Sequence, residues 1–285
     1  MDRVLKWALA LTAGFVAVEL AAGVQARSLA LISDAGHNFT DALALLLAWI
    51  GVYYGRKPPD AIKTYGYHRA GVLAAFVNAL ALLILAGYIL WESYRRWLAP
   101  RVVDQWIMLA VAGLGLTVNL GIMWGLKAER RRDLNIRSAW VHMLGDALGS
   151  VGIIAGALLI QWTGWQRTDP LLSALSGLLI VWTAWDIVTE SLNILLEGLP
   201  RGLKLEEVVR ALRGVEGVRE VHDLHIWSLG ASVRALSCHV LIDDLPPSAS
   251  EAILRGLNRM LVERFEIRHT TVQFECARCQ GGGCD

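Results

Sequence analysis

Charge is scarce in this chain: of 285 residues only 19% are Asp, Glu, Lys or Arg, against 55% apolar, and the mean hydropathy is +0.44. That balance excludes an ordinary soluble domain of this length, in which about a quarter of residues are charged. Cysteine is scarce as well, and four thiols, Cys238, Cys276, Cys279 and Cys284, suit a reducing compartment rather than a disulfide-held secreted fold. No H-E-x-x-H motif occurs, which removes the helical signature of a zinc hydrolase, so no enzymatic activity is expected. The net charge of +1 adds nothing about partners, and no nucleic-acid partner is expected.

What is present is apolar sequence in blocks. Six stretches, at 5–25, 29–54, 70–94, 103–126, 137–162 and 171–195, are long enough to cross ~30 Å of hydrocarbon as helices. The first contains Glu19 and lacks a small-residue cleavage site, so it reads as a span of the bundle rather than a signal peptide. Lys and Arg divide unevenly between the connecting segments. One side collects Arg3, Lys6, Arg56, Lys57, Lys63, Lys127, Arg130, Arg131, Arg132, Arg137, Arg201 and Lys204; the other holds Arg27, Arg95, Arg96, Arg101 and Arg167. An even number of spans with the richer side inside places both termini in the cytoplasm. Trp49, Trp97, Trp106, Trp124 and Trp162 stand at span ends, the usual aromatic belt.

Two of the apolar stretches carry the same polar spacing: His37 and Asp41 in SDAGHNFTDALALLLAW, His142 and Asp146 in AWVHMLGDALGSVG. Residues four apart on a helix share a face about 5 to 6 Å apart, so each pair can offer an imidazole nitrogen and a carboxylate oxygen to one point. Two such helices face to face supply four ligands of the N/O type that zinc accepts. Ionisable groups inside membrane helices are costly and mark an ion route. Asp34, one turn before His37, is expected as a helix-start cap or as support behind the ligands. Asn38, Asn78 and Asn119 are expected to bond other helices, while Glu19, Asp186 and Glu190 read as interface or groove positions with a lesser claim on the ion route.

Charge arithmetic extends the reading. Two ionised carboxylates are neutralised by a divalent ion, but empty they are two close negative charges in a poor solvent and should take up protons. The imidazoles must be neutral to bind metal, so binding releases protons and metal release recaptures them. If the site opens alternately to the two sides, that linkage is metal/proton exchange.

After about residue 200 the pattern turns soluble. KLEEVVRALRGV has helical spacing; VREVHDLHIWSL and SVRALSCHVLID read as strands; a helix is expected near 247–265 and a last strand at HTTVQFEC, giving the order αββαβ. The expected organisation is a six-helix transmembrane domain over 1–200, a small α+β domain over 201–276 and a flexible Gly/Cys tail over 277–285. Strand alternation puts Leu236, Cys238, Val240 and Ile242 on the helix-covered face and leaves His239 and Glu275 on the outer face. His222 and His225 have opposite parity, so an unbroken strand cannot aim both at one face, and pattern alone favours His225. Cys276 and Cys279 form a C-x-x-C, a further candidate for metal that needs two more ligands.

Taken together, SLALISDAGHNFTDALALLLAW, YGYHRAGVLAAFVNAL, HMLGD, LLEGLP and VHDLHIWSLG resemble a zinc-type cation diffusion facilitator, over nearly the whole chain. The resemblance implies a homodimeric, proton-coupled exporter of zinc, with cadmium and cobalt as companion ions, whose transport site is His37, Asp41, His142 and Asp146. It implies a metallochaperone-like cytoplasmic domain that binds Zn2+ through His222, with His239 and Glu275 beside it and His225 as the substitute, and that tunes activity. The loop carrying Tyr65, Gly66, Tyr67, His68 and Arg69 often holds a second metal site in relatives; here only His68 and Asp60 are on offer, and contact with the anionic lipid surface through Lys57, Lys63 and Arg69 is an equal expectation. The short basic segment KAERRRDLNIR, without a His-rich tract, and the compact loops suit a bacterial inner membrane.

Overall fold

In the computed structural model, the described residues are 3–55, 57–127, 134–230 and 233–276. Six long helices come first: α1 (Arg3–Ala26), α2 (Leu29–Gly55), α3 (His68–Leu98), α4 (Gln105–Leu126), α5 (Leu134–Thr163) and α6 (Thr168–Leu195). Then follow α7 (Leu205–Arg213), β1 (Glu220–Gly230), β2 (Val233–Leu241), α8 (Pro247–Phe265) and β3 (Ile267–Glu275). Six long helices followed by an αββαβ domain therefore stand in the expected order. Among the described residues four stretches are individually long and apolar enough to cross a bilayer, His68–Leu98, Gln105–Gly125, Trp140–Thr163 and Thr168–Leu195, and α1 adds the shorter apolar run Ala13–Ala26. Large apolar side chains such as Leu73, Ile84, Trp91, Trp124, Trp162 and Trp182 are exposed on these helices, as surfaces facing lipid require.

The chain forms two compact units, Met1–Leu46 with Asn78–Asp186, and Leu47–Val77 with Ile187–Asp285. In the first, small and branched residues pack the helices: Ala26, Ala30 and Leu31 meet Met108, Ala112, Ile153, Ala157 and Ile160, while Leu82, Ala86 and Ile89 of α3 pack on Ile180 and Ala184 of α6. The helix α3 runs past the apolar stretch expected for it. Hydropathy falls at Glu92, but Glu92 and Arg96 are one turn apart and bond at 3.1 Å, so the polar residues extend the helix to Leu98.

A buried ionic cluster lies at that end of the unit. Glu92 meets Arg95 (3.3 Å), Arg96 (3.1 Å) and Arg101 (3.7 Å); Arg96 also reaches Asp169 (3.7 Å) and donates to the Arg27 carbonyl at 2.6 Å. Asp169, fully buried in the first turn of α6, accepts from Ser28 Oγ (2.6 Å), Leu29 N (2.8 Å) and Ala30 N (3.2 Å). Ser28 Oγ in turn accepts from Leu31 N at 3.2 Å. The free N–H groups that begin α2 are thus capped from α6 as well as locally. This overturns the cap expected of Asp34, which sits in the second turn of α2, inside the helix.

In the second unit the three strands lie in the order β1-β2-β3, with β1 and β2 antiparallel and β2 and β3 parallel. Leu236, Cys238, Val240 and Ile242 face inward as alternation dictates, against Val208 and Leu212 of α7 and Ile253, Leu257, Leu261 and Phe265 of α8. Leu257 and Leu261 are fully buried, each contributing roughly 1.5–3 kcal/mol of transfer free energy. Burial pushes the Cys238 thiol up to about 11, so it stays a neutral thiol at physiological pH.

Candidate metal centres

Helix α2 presents His37 and Asp41, and α5 presents His142 and Asp146, in the first unit. The four side chains close into a ring in which imidazole and carboxylate alternate: His37 Nε2 to Asp41 Oδ2 3.6 Å, Asp41 Oδ2 to His142 Nε2 3.3 Å, His142 Nε2 to Asp146 Oδ2 3.7 Å, and Asp146 Oδ1 to His37 Nε2 3.7 Å. Four donors placed about 2.0–2.1 Å from a tetrahedral zinc ion stand about 3.3–3.4 Å from one another, close to these edges. Asp41 Oδ2 is buried and has no hydrogen-bond partner although two imidazole nitrogens lie near it. A buried carboxylate oxygen so placed is short of a positive partner, and a cation at the centre of the ring supplies one.

Behind the ring, the buried Glu19 of α1 accepts a hydrogen bond from Asn38 Nδ2 at 2.9 Å, which meets the expectation that Asn38 ties helices together. Glu19 is therefore an interior group bonded next to His37, not an interface residue. Asp34 Oδ1 lies against α5, 3.8 Å from where a Cβ on Gly149 would sit. Glu190 pairs with Arg201 and is outside this cluster.

The C-terminal domain gathers a second set. His222 and His239 stand directly opposite in the β1/β2 ladder, with rings 5.4 Å apart, and Glu275 comes from β3. His239 Nδ1 is 3.0 Å from Glu275 Oε1, and His222 Nε2 is 3.2 Å from Glu275 Oε2. His222, His239 and Glu275 can each bring one ligand atom within 4.8 Å of the others. Among the described residues the parity conflict in β1 disappears, because the register shifts between His222/His239 and His225/Ser237. The extra residue is a β-bulge, and Asp223 in it has φ +48°, a left-handed conformation that Asp tolerates. Both histidines therefore keep to the same side of the ladder, and the expectation that one must point away fails for lack of a continuous strand.

Sequence reasoning overlooked Asp223. Its Oδ1 lies 3.0 Å from His225 Nε2 and its Oδ2 3.5 Å from His239 Nε2. The signal was available: two histidines of opposite parity around an Asp, a residue at home in bulges, in a strand whose apolar residues face inward on both sides of it.

Among the described residues the remaining candidates are not gathered into a centre. Asp60 closes its own turn, accepting from Lys63 N (2.7 Å), Ile62 N (2.8 Å) and Tyr67 Oη (2.8 Å), bonds that hold its carboxyl below the ordinary range, the Lys63 amide foremost. Arg69 pairs with Glu197 at 2.8 Å. Cys276 is exposed at the end of β3, its Sγ 3.9 Å from the Asp243 carbonyl, and Cys279, with the tail expected at 277–285, lies outside the described residues.

A bundle of apolar helices that turns two carboxylates and two imidazoles inward, followed by an αββαβ domain with its own His/Glu cluster, defines a metal-handling integral membrane protein. Residues 5–196 match the cation efflux transmembrane domain and residues 200–277 the cytoplasmic domain of cation efflux proteins; the chain belongs to the cation efflux family, whose members are transporters rather than enzymes. It is 42% identical over 284 residues to the zinc transporter ZitB of Escherichia coli, covering 99% of this chain and 90% of that one. It is 42% identical over 279 residues to the metal cation efflux system protein CzcD of Cupriavidus metallidurans (98% and 88%), and 38% identical over 276 residues to a cadmium, cobalt and zinc/H(+)-K(+) antiporter of Bacillus subtilis (96% and 88%).

Proposed function

We propose that this protein exports zinc, with cadmium and cobalt as companion ions, in exchange for protons. The observation that carries the proposal is the closed ring of His37, Asp41, His142 and Asp146 with the unbonded buried oxygen of Asp41 inside it. Two carboxylates match the charge of a divalent ion, and two imidazoles favour zinc and cadmium over hard, oxygen-seeking ions. Emptying the ring leaves two unneutralised carboxylates among imidazoles, and protons are the cations that restore balance. Because the donors stand on two separate helices, their parting is a route to release toward either side.

The same reading assigns residues 1–200 to the membrane domain, 201–276 to a cytoplasmic domain and 277–285 to its tail. In that domain His222, His239 and Glu275 hold a regulatory zinc ion, with Cys276 and Cys279 as lesser candidates. Three donors suit zinc, and His239 Nδ1 is buried without a hydrogen bond, available as a ligand. A homodimer in a bacterial inner membrane with both termini in the cytoplasm completes the proposal.

The test is zinc flux in proteoliposomes under an imposed pH gradient. A gradient of protons alone should drive zinc uphill; flux indifferent to it would overturn exchange, and flux that survives Asp146→Ala would overturn the ligand assignment.

A further inference from the structure

We propose that Asp223 is the positioning residue of the C-terminal metal centre: carried on the β-bulge, its carboxylate binds the Nε2–H of His239 and so turns the Nδ1 lone pair toward the metal. The inference rests on the proposed His222/His239/Glu275 centre and names the group that prepares it. Three observations carry it. His239 is held between two carboxylates, Asp223 Oδ2 at 3.5 Å from Nε2 and Glu275 Oε1 at 3.0 Å from Nδ1. Each ring nitrogen faces a carboxylate, but Glu275, which also reaches His222, stands on the Nδ1 side where the three donors converge, while Asp223 stands on the Nε2 side, away from them. And Asp223 reaches that position only because the strand takes one extra residue there, at φ +48°.

A neutral imidazole carries its proton on one nitrogen, and the hydrogen bond made by one nitrogen decides which is free for a metal. A carboxylate behind a ligating His both fixes the ring and strengthens it as a donor, and losing such a partner costs about tenfold to a hundredfold in metal affinity. Glu275 cannot fill this role, since it sits on the Nδ1 side and is itself a candidate ligand. Without the bulge, Asp223 would alternate to the opposite face from His222 and lie against α7 and α8. The bulge therefore has a purpose beyond reconciling the two histidines: it delivers a carboxylate to the outer face between them. The other oxygen of Asp223 is engaged by His225 at 3.0 Å, which limits rotation of the carboxylate.

The experiment uses the full chain in nanodiscs, in an Asp41→Ala background that silences the membrane centre, with Zn2+ titrated against a competing chelator. Asp223→Asn is the informative variant, because Asn keeps the shape and the tolerance of the left-handed conformation while removing the anionic acceptor. It should weaken zinc binding about tenfold to a hundredfold. Histidine-selective 15N spectra of the metal-free protein give the second readout: the share of the Nε2–H tautomer at His239 should fall in Asp223→Asn relative to the parent, a change that simple loosening of the strand would not produce. Equal affinity and an unchanged tautomer in Asp223→Asn, with binding still abolished by His239→Ala, would overturn the positioning role and leave the metal centre standing. If the Asp41→Ala parent and its His239→Ala derivative bind zinc alike, the centre itself fails, and the role of Asp223 with it.

Discussion

The two proposed metal centres differ most in what their ligands stand on. In the membrane centre one imidazole and one carboxylate come from α2 and the same pair from α5, two helices each held by its own backbone hydrogen bonds. In the C-terminal centre the donors come from adjacent strands of one hydrogen-bonded sheet, with His222 paired to His239 in the ladder. Helices can part while each stays folded. Neighbouring strands cannot part without breaking their ladder. The first arrangement suits an ion that must leave, and the second an ion that is kept and sensed. Their charges differ in the same sense: two carboxylates in the ring cancel a divalent ion, whereas Glu275 alone leaves a bound ion partly uncompensated.

The largest effect should come from breaking the membrane ring. Asp41→Ala is expected to abolish zinc flux in proteoliposomes, since it removes the carboxylate oxygen that stands between both imidazoles, and persistence of more than a tenth of the parent rate would collapse the distinction between the centres. Asp169→Asn comes next. It replaces the charged acceptor of Ser28 and of the first amides of α2 by a neutral amide and removes one of the two acidic neighbours of Arg96, so a loss of about 1–3 kcal/mol is expected, read as a lowered unfolding midpoint in detergent. In contrast His239→Ala should leave flux within about an order of magnitude of the parent while removing the zinc-induced change in the C-terminal domain; complete loss of flux would mean that the sheet-borne ion belongs to the transport cycle.

The smallest effect concerns Cys238. With its thiol pushed up to about 11, it should resist a maleimide at pH 7–8 under conditions that label the exposed Cys276. The folded thiol ionises later than the unfolded one, so its contribution to stability is complete below about pH 9 and is lost as pH rises toward 11; Cys238→Ala should flatten that part of the stability profile. Ready labelling at neutral pH would mean that the core behind the sheet opens far more easily than the fixed ladder implies.

The same contrast explains what could be read from sequence. His37, Asp41, His142 and Asp146 were legible because a helix imposes one rule, four residues to a face, and the apolar surroundings made the exceptions conspicuous. The inward face of β2 followed as directly from alternation of Leu236, Cys238 and Val240. Asp223 escaped because a bulge suspends the alternation rule at the place where it was being applied. Asp169 escaped for another reason: it caps a helix 140 residues earlier in the chain, and no local pattern links an Asp at the start of α6 to the amides of Leu29 and Ala30. Of the two roles expected for Asp34, one turn before His37, the cap fails, because α2 begins at Leu29 and its first amides are met from α6.

The bond between Asp169 and the first turn of α2 also ties that helix at Leu29, which would be the fulcrum of any rigid tilt. At 1.5 Å per residue, His37 lies about 12 Å and Asp41 about 18 Å along the arm. A tilt of about 10° about the tied end would carry Asp41 by about 3 Å and His37 by about 2 Å, enough to take the farther ligand out of bonding distance before the nearer one. An ion leaving such a ring would be uncovered from the Asp41 side first, and the order in which it loses its ligands would be set by a carboxylate on a different helix that never touches it.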